Sequence, residues 1–315
     1  MMGLLIISEA ATRKLIDMRQ ALTLVEKVFR DYAAGKVRRL PRYRLKGNQR
    51  GLNIMAGWHA SWDLFCMRFY TGETTAISLH SGRTGKFLAL LNASYLAPLR
   101  TAATSGVAVK YLAPPNSRVL GVIGPGLQGA FQVEAIVLSA PVQKVLVYGR
   151  NEARRKRFVR KMQKKIRVEV KESSSLEEIE AQSDIIMLAT ISKVPILEGH
   201  LLKERVLIIS VGANQVVKHE VSVDLIRQMD LIVTDDLPTA QKDSGDLMAA
   251  YEAGILDWGN VVPLDLIVAG GKLDDQPKRI LFQSNGIADD ALAVSHYVLN
   301  GIRRKRVKVR KISEI

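Results

Sequence analysis

Arg118-Val-Leu-Gly-Val-Ile-Gly124-Pro125-Gly126-Leu127-Gln128-Gly129 decides the fold. Its first half is a short apolar run suited to a strand buried on both faces, and its second half spaces glycine as G-x-G-x-x-G. The order predicts a strand, a tight turn at Gly124 and a helix opening near Leu127. Gly126 lets backbone approach a pyrophosphate, and Gly129 lets the helix pack close to the strand. A helix N-terminus adds N–H donors and partial positive charge, although Pro125 removes one donor. Gly124, Gly126, Leu127, Gln128 and Gly129 are therefore read as a dinucleotide-binding turn.

Downstream, apolar runs at 145–148, 184–190, 206–211 and 231–235 alternate with helical stretches such as 128–138 and 152–165. That alternation predicts a Rossmann-type doubly wound parallel sheet over residues 115–280. Ligands of such sheets sit at strand carboxyl ends, which nominates Thr190, Val211, Gly212 and Ala213. After the second strand the chain reads Tyr148-Gly149-Arg150-Asn151, with no acid to bond a ribose 2′-hydroxyl. Arg150 offers a planar fork suited to a 2′-phosphate, so NADP(H) is expected over NAD(H), with Asn151 beside it.

Upstream the period changes. Leu22, Val25, Phe29 and Tyr32 follow helical spacing from Asp17, and Gly35 stands where a left-handed residue ends a helix. Short segments at 52–58, 64–70, 75–80 and 87–91 read as antiparallel strands, and a helix over 101–112 stops at Pro114-Pro115. A last helix is expected over 286–300, and 306–312 alternates like a basic edge strand that returns to the first domain. The fold class is thus α/β: the dinucleotide domain 115–280 plus an α+β domain made of 1–114 with 281–315.

At 315 residues the chain can bury its own core, and 47% apolar with 24% charged residues excludes disordered, collagenous and coiled-coil classes. One cysteine, Cys66, permits no internal disulfide and leaves no cysteine cluster for a metal, which fits a cytoplasmic location. No export signal or membrane span is visible. The 46 Lys+Arg exceed 31 Asp+Glu by 15, a surface that attracts anions. The basic runs 36–50, 150–171 and 303–311 lack interleaved aromatics, which argues against a nucleic-acid platform.

The chain resembles the ornithine cyclodeaminase and mu-crystallin family, which includes archaeal alanine dehydrogenases and ketimine reductases. Leu99-Arg100-Thr-Ala-Ala-Thr-Ser105 carries the resemblance together with the glycine turn, Ser183-Asp184-Ile-Ile186, Val211-Gly212-Ala213, Ser244-Gly245-Asp246 and Phe282-Gln-Ser-Asn-Gly286-Ile-Ala288. The resemblance implies a substrate and dimerisation domain completed by the C-terminal segment, a homodimer built through the N-terminal sheets, and an amino or imino acid substrate. Its α-carboxylate would be held by Arg44 (with Arg42 a nearby competitor), Arg68 and Arg100.

Three positions depart from the family pattern. Arg68 stands where members usually carry lysine and gives up acid or base duty. Asn214 follows Val211-Gly212-Ala213 where the cyclodeaminase and alanine dehydrogenases have aspartate, and Asn53 precedes Met55 where a glutamate is usual. Asparagine hydrogen-bonds without ionising, which favours reduction of a preformed iminium over ornithine cyclisation. Arg68 and Asn214 are the candidate catalytic residues. The expected activity is NAD(P)H-dependent oxidoreduction at the bond between Cα and nitrogen of an amino acid or its imine. The other enzymatic reading is ornithine cyclodeamination to proline and ammonia with bound NAD, and the non-catalytic one is an NADPH-dependent binding protein. Asp246 and the pair Asp289-Asp290 lie where family acids fall; helix caps or solvated turns are the plain alternative. His59 reads as a structural histidine.

Overall fold

A computed structural model describes residues 3–72, 74–270, 277–305 and 307–312. Strand β1 (Leu4–Ile7) leads to α1 (Glu9–Arg13) and α2 (Met18–Ala33). Asp17 and Gln20 form a reciprocal capping box at the start of α2, and Gly35, with φ +71°, follows its end. The buried stripe Ala21, Val25, Val28 and Phe29 gives this helix its inward face. Five strands follow: β2 (Val37–Lys46), β3 (Gly51–His59), β4 (Leu64–Thr71), β5 (Thr74–Ser81) and β6 (Phe87–Asn92). Strand β2 had read as a basic run, because its arginines mask the alternation. Helix α3 (Leu96–Leu112) is apolar nearly all round and correspondingly buried.

The next segment alternates as expected: β7 (Val119–Ile123), α4 (Leu127–Ser139), β8 (Lys144–Tyr148), α5 (Glu152–Lys165), β9 (Glu169–Glu172), α6 (Leu176–Gln182), β10 (Ile185–Leu188) and β11 (Val206–Ser210). It continues through α7 (Val223–Arg227), β12 (Leu231–Thr234), α8 (Leu237–Asp243), α9 (Gly245–Glu252), β13 (Val261–Pro263), α10 (Leu264–Gly270) and β14 (Arg279–Gln283). These eight strands form one wholly parallel sheet, ordered β13-β12-β14-β11-β10-β7-β8-β9. The order runs outward in both directions from the β7/β10 junction, the topological switch point at which such sheets bind ligands. Residues of β10 and β11 are buried throughout, as central strands covered on both faces must be.

The chain closes with α11 (Asp289–Lys305) and β15 (Arg310–Ile312). Strand β15 pairs antiparallel with β1 at the edge of a seven-stranded sheet, β15-β1-β6-β5-β4-β3-β2. Arg306, at the start of that expected strand, lies outside the described residues. Two compact units result: Met1–Thr104 with Ile287–Ile315, and Ser105–Gly286. The first division falls inside α3 rather than at 114/115, because one continuous helix carries the chain from the first unit into the second. The second lies beyond β14, whose five residues all pair within the parallel sheet, whereas 280/281 would cut that strand. Among the described residues no helix is long and apolar enough to cross a membrane, and no cluster of side chains suits a metal.

Candidate functional site

In the first unit the strand register gathers arginines. Arg44, Asn53, Tyr70 and Thr75 stand in one row across β2 to β5, and Met55, Arg68 and Ile77 in the next. Period-two alternation puts both rows on one face. Arg68 is 7% exposed, and its Nη1 reaches only the weak acceptor Sδ of Met55 at 3.5 Å. Its guanidinium lies 4.2 Å over the Tyr70 ring, its Nε is buried without a partner, and among the described residues no carboxylate pairs with it. Burial, then the like charge of Arg100, pull its pKa down to about 9, which leaves it charged at neutral pH. Burial alone would raise the Tyr70 phenol, but Arg42, Arg68, Arg44 and Arg100 outweigh it and hold the group below its ordinary value. Tyr70 is thus ringed by four guanidinium groups, a feature invisible in the sequence.

The other arginines are anchored. Arg44 Nη1 donates to Asn53 Oδ1 at 2.7 Å. Arg100 Nη1 donates to Asp290 Oδ2 at 2.9 Å and to the carbonyl of Ile287 at 3.3 Å. Asp289 pairs separately with Arg39 at 2.7 Å, and burial pushes its pKa up to about 6. Neither acid is a solvated turn: both are fully buried, each with its own arginine. Arg42 is buried beside them. His59 binds Asp31 through Nε2 at 3.0 Å and stacks on Trp62, an arrangement that ties α2 to β3.

In the second unit the glycine turn has the form the sequence implied. Gly124 has φ +107°, and a Cβ there would stand 2.5 Å from the Ala189 carbonyl oxygen; one at Gly129 would meet Gly124 O at 2.5 Å. Both glycines are therefore required by the protein itself. Gly126 differs: its φ is −104° and an added Cβ would meet nothing within 4 Å. It is also the N-cap of α4 with no side-chain cap. Open space beside an uncapped helix start fits a phosphate group. Leu127 is largely exposed there. At the end of β8, Arg150 is exposed, while Asn151 caps α5 by accepting from Arg154 N at 2.9 Å. Thr190, Val211 and Gly212 donate their amides to one buried carboxylate, Glu220, which sequence reasoning missed. Asp246, 1% exposed, is neither cap nor solvated turn: Ser244 caps α9, and Asp246 lies beside Glu220. Asn214 Nδ2 donates to Val211 O at 3.2 Å.

The profile of the ornithine cyclodeaminase/mu-crystallin family matches residues 4–306. The chain belongs to this family. Alanine dehydrogenase of Archaeoglobus fulgidus is 30% identical to it over 97% of both chains. Among solved structures, Thermococcus litoralis Delta(1)-pyrroline-2-carboxylate reductase, in complex with NADH and L-proline, superposes with a TM-score of 0.93 at 27% identity, over 98% of this chain and all of that one. A dimeric archaeal alanine dehydrogenase with bound NAD gives the same TM-score and identity over the whole of both chains. Both neighbours carry the fold described above.

Ornithine cyclodeaminase/mu-crystallin motifs then acquire physical jobs. Asp184 of the Ser-Asp-Ile-Ile motif accepts the amides of Arg118 and Val119 at 2.7 and 2.9 Å, which fixes the start of β7. Asp235 accepts Asn285 N and Gly286 N, so the Ser-Asn-Gly motif is held against β12. The family departures are equally specific. Asn53 is engaged with Arg44 and with the Tyr70 carbonyl, and Asn214 Nδ2 donates within its own loop to Val211 O.

Proposed function

We propose that the protein is an NAD(P)H-dependent reductase of α-imino carboxylates, run in reverse as an amino acid dehydrogenase. The observation that carries this reading is the Arg68 guanidinium, buried over the Tyr70 ring without a carboxylate of its own and under the added positive charge of Arg100 and Arg42. A buried cation of that kind favours an anionic ligand, and a planar carboxylate matches its fork. Arg44 and Arg100, held by Asn53 and Asp290, supply fixed positive charge around it. The dinucleotide would be held by Gly124, Gly126, Leu127, Gln128 and Gly129, with Thr190, Val211, Gly212 and Ala213 at the strand ends; it supplies hydride when bound. Arg68 contributes orientation and charge rather than proton transfer. A substrate that arrives as an iminium already carries its proton, consistent with amides at positions 53 and 214. Asn214 positions the loop that bears Ala213. Ornithine cyclisation needs an ionising group near the amine, and neither Asn53 nor Asn214 provides one.

The deciding measurement follows absorbance of the reduced cofactor with pyrroline-2-carboxylate, piperideine-2-carboxylate and pyruvate plus ammonia. Net oxidation with at least one supports the reading; proline and ammonia formed from ornithine without net cofactor change overturn it. Arg150 is exposed at the slot that reads the ribose, so NADPH is the preferred donor. Arg150→Asp should reverse that preference, weakening NADPH by roughly 10-fold or more through charge repulsion while NADH is little changed. Equal affinity of both variants for NADPH would place the 2′-phosphate elsewhere.

The opposite face of the seven-stranded sheet supports a dimer. Its rows are Arg38, Trp58, Phe65 and His80, then Leu40, Ala56, Met67 and Ser78. Leu40 is 66% and Phe65 47% exposed, a contiguous apolar patch across three strands. A second copy of the chain is the proposed occupant, in keeping with a structural neighbour that is a dimer. Sedimentation of the wild type should report twice the chain mass, and Phe65→Arg with Met67→Glu should report a monomer. A wild-type monomer would leave that face unassigned. The buried lone cysteine agrees with a cytoplasmic setting.

A further inference from the structure

Ser210, at the carboxyl end of β11, is fully buried, and its hydroxyl oxygen lies 2.9 Å from both Glu220 Oε2 and Asp246 Oδ2. A hydroxyl has one proton, so it can donate to one of these acids and must accept from the other. One of the two carboxyls therefore carries a proton. The remaining partners decide which. Glu220 receives three backbone N–H groups: Thr190 at 2.6 Å on Oε1, and Val211 at 3.1 Å and Gly212 at 2.7 Å on Oε2. Asp246 Oδ1 accepts Glu220 N at 2.9 Å and Val221 N at the long distance of 3.5 Å, while Oδ2 meets Ser210 Oγ at 2.9 Å.

We infer that Asp246 is the proton holder: its Oδ2–H donates to Ser210 Oγ, Ser210 donates to an ionised Glu220, and Glu220 clamps the turns that follow β10 and β11. Both are positioning residues, since they act through the amides of Thr190, Val211 and Gly212. Several independent features agree. Two buried carboxyls sharing one hydroxyl cannot both ionise without a large penalty, and multiple N–H donors favour the charge on Glu220. Burial, followed by the neighbouring Glu220, pushes Asp246 up to about 8; burial raises Glu220 as well, against the opposing pull of the Thr190 and Gly212 N–H groups, so the donor geometry assigns the proton. His219 Nδ1, the other titratable atom close by, stands 3.9 Å from Asp246 Oδ1 on a partly exposed side chain. Packing leaves no slack: a Cβ on Gly212 would stand 2.3 Å from Thr190 O and 2.4 Å from Glu220 Oε1, and one on Gly245 would fall 1.8 Å from Lys218 O. Gly245 N also donates to Ala213 O at 2.9 Å, which brings Asp246 to the loop. The Ser-Gly-Asp motif thus delivers a neutral carboxylic acid to the strand ends.

That these turns serve a dinucleotide rests on the proposed function; the location of the proton does not. Asparagine copies a protonated aspartate, accepting through Oδ1 and donating through Nδ2. Asp246→Asn should therefore keep NADH affinity within about 2-fold and leave the melting temperature unchanged. Glu220→Gln points an N–H at N–H donors whichever way it turns, and should weaken NADH by roughly 10-fold or more and lower the melting temperature. Infrared difference spectra in heavy water at neutral pH, wild type minus Asp246→Asn, should contain the carbonyl stretch of a protonated carboxylic acid. Absence of that band, or tolerance of Glu220→Gln with damage from Asp246→Asn, overturns the assignment. Should Glu220→Gln fail to fold, the spectrum and the Asp246→Asn melt still decide. Should wild type bind neither NADPH nor NADH, the proposed function falls while those two measurements continue to judge the proton.

Discussion

Arg68→Met is expected to cripple imine reduction, by roughly 30-fold or more, and at the same time to raise the melting temperature. The side chain is buried among Met55, Tyr70 and two further arginines without a carboxylate partner, and Asp290, the nearest acid of the cluster, is engaged by Arg100. Folding therefore strips a cation of water and returns only the Tyr70 ring and a weak sulfur acceptor, an arrangement that the proposed binding role explains and stability does not. Methionine fills the same space without that penalty, so stability should rise by about 1–3 kcal/mol. Substrate recognition loses a buried guanidinium that has no carboxylate of its own. Removal of one partner from a desolvated charge pair costs about 2–5 kcal/mol, so kcat/KM should fall by roughly 30- to several-thousand-fold. NADH affinity should hold, because Arg68 and the glycine turn belong to different compact units. Steady-state kinetics and thermal melts check the pair of outcomes. A variant that loses stability along with activity would mark Arg68 as an architectural arginine.

Gly126→Val tests the other half of the chemistry. At φ −104° valine meets no backbone strain, and nothing in the protein lies within 4 Å of an added Cβ. Melting temperature should therefore stay as in wild type. A pyrophosphate resting on that backbone would collide with the branched side chain, and NADH affinity should weaken by about 100-fold, equivalent to about 2.7 kcal/mol. Gly124→Ala supplies the contrast: with φ +107° and Ala189 O in the way, it should lose stability and affinity together. Fluorescence titration with NADH separates the two variants. Unchanged affinity in Gly126→Val would mean that no dinucleotide crosses this turn.

Legibility in the sequence followed local physics. Strands β7, β8, β10, β11 and β12 announced themselves as short apolar runs, because a strand buried on both faces has no polar side to alternate with. Strand β9, Glu-Val-Lys-Glu at the sheet edge, is too short and polar to carry that signal, and β2 hid behind arginines. Those arginines are tolerable in a packed sheet only because partners arrive from far along the chain, Arg39 meeting Asp289 at a separation of 250 residues. The same distance concealed the site. The family resemblance names Arg44, Arg68 and Arg100 together as a carboxylate clamp, yet nothing local distinguishes the arginine that owns a carboxylate from the one that lacks it.

By itself the sequence determined the two kinds of sheet, the glycine turn and its helix, and the absence of ionising acids at positions 53 and 214, since periodicity, backbone freedom and side-chain chemistry are properties of neighbours along the chain. Tertiary structure alone decided which charges are buried, which are paired, and that Glu220 and Asp246 must share a proton. Burial and pairing are set by residues tens to hundreds of positions apart, and the free energy of a charge depends on what surrounds it, not on what precedes it.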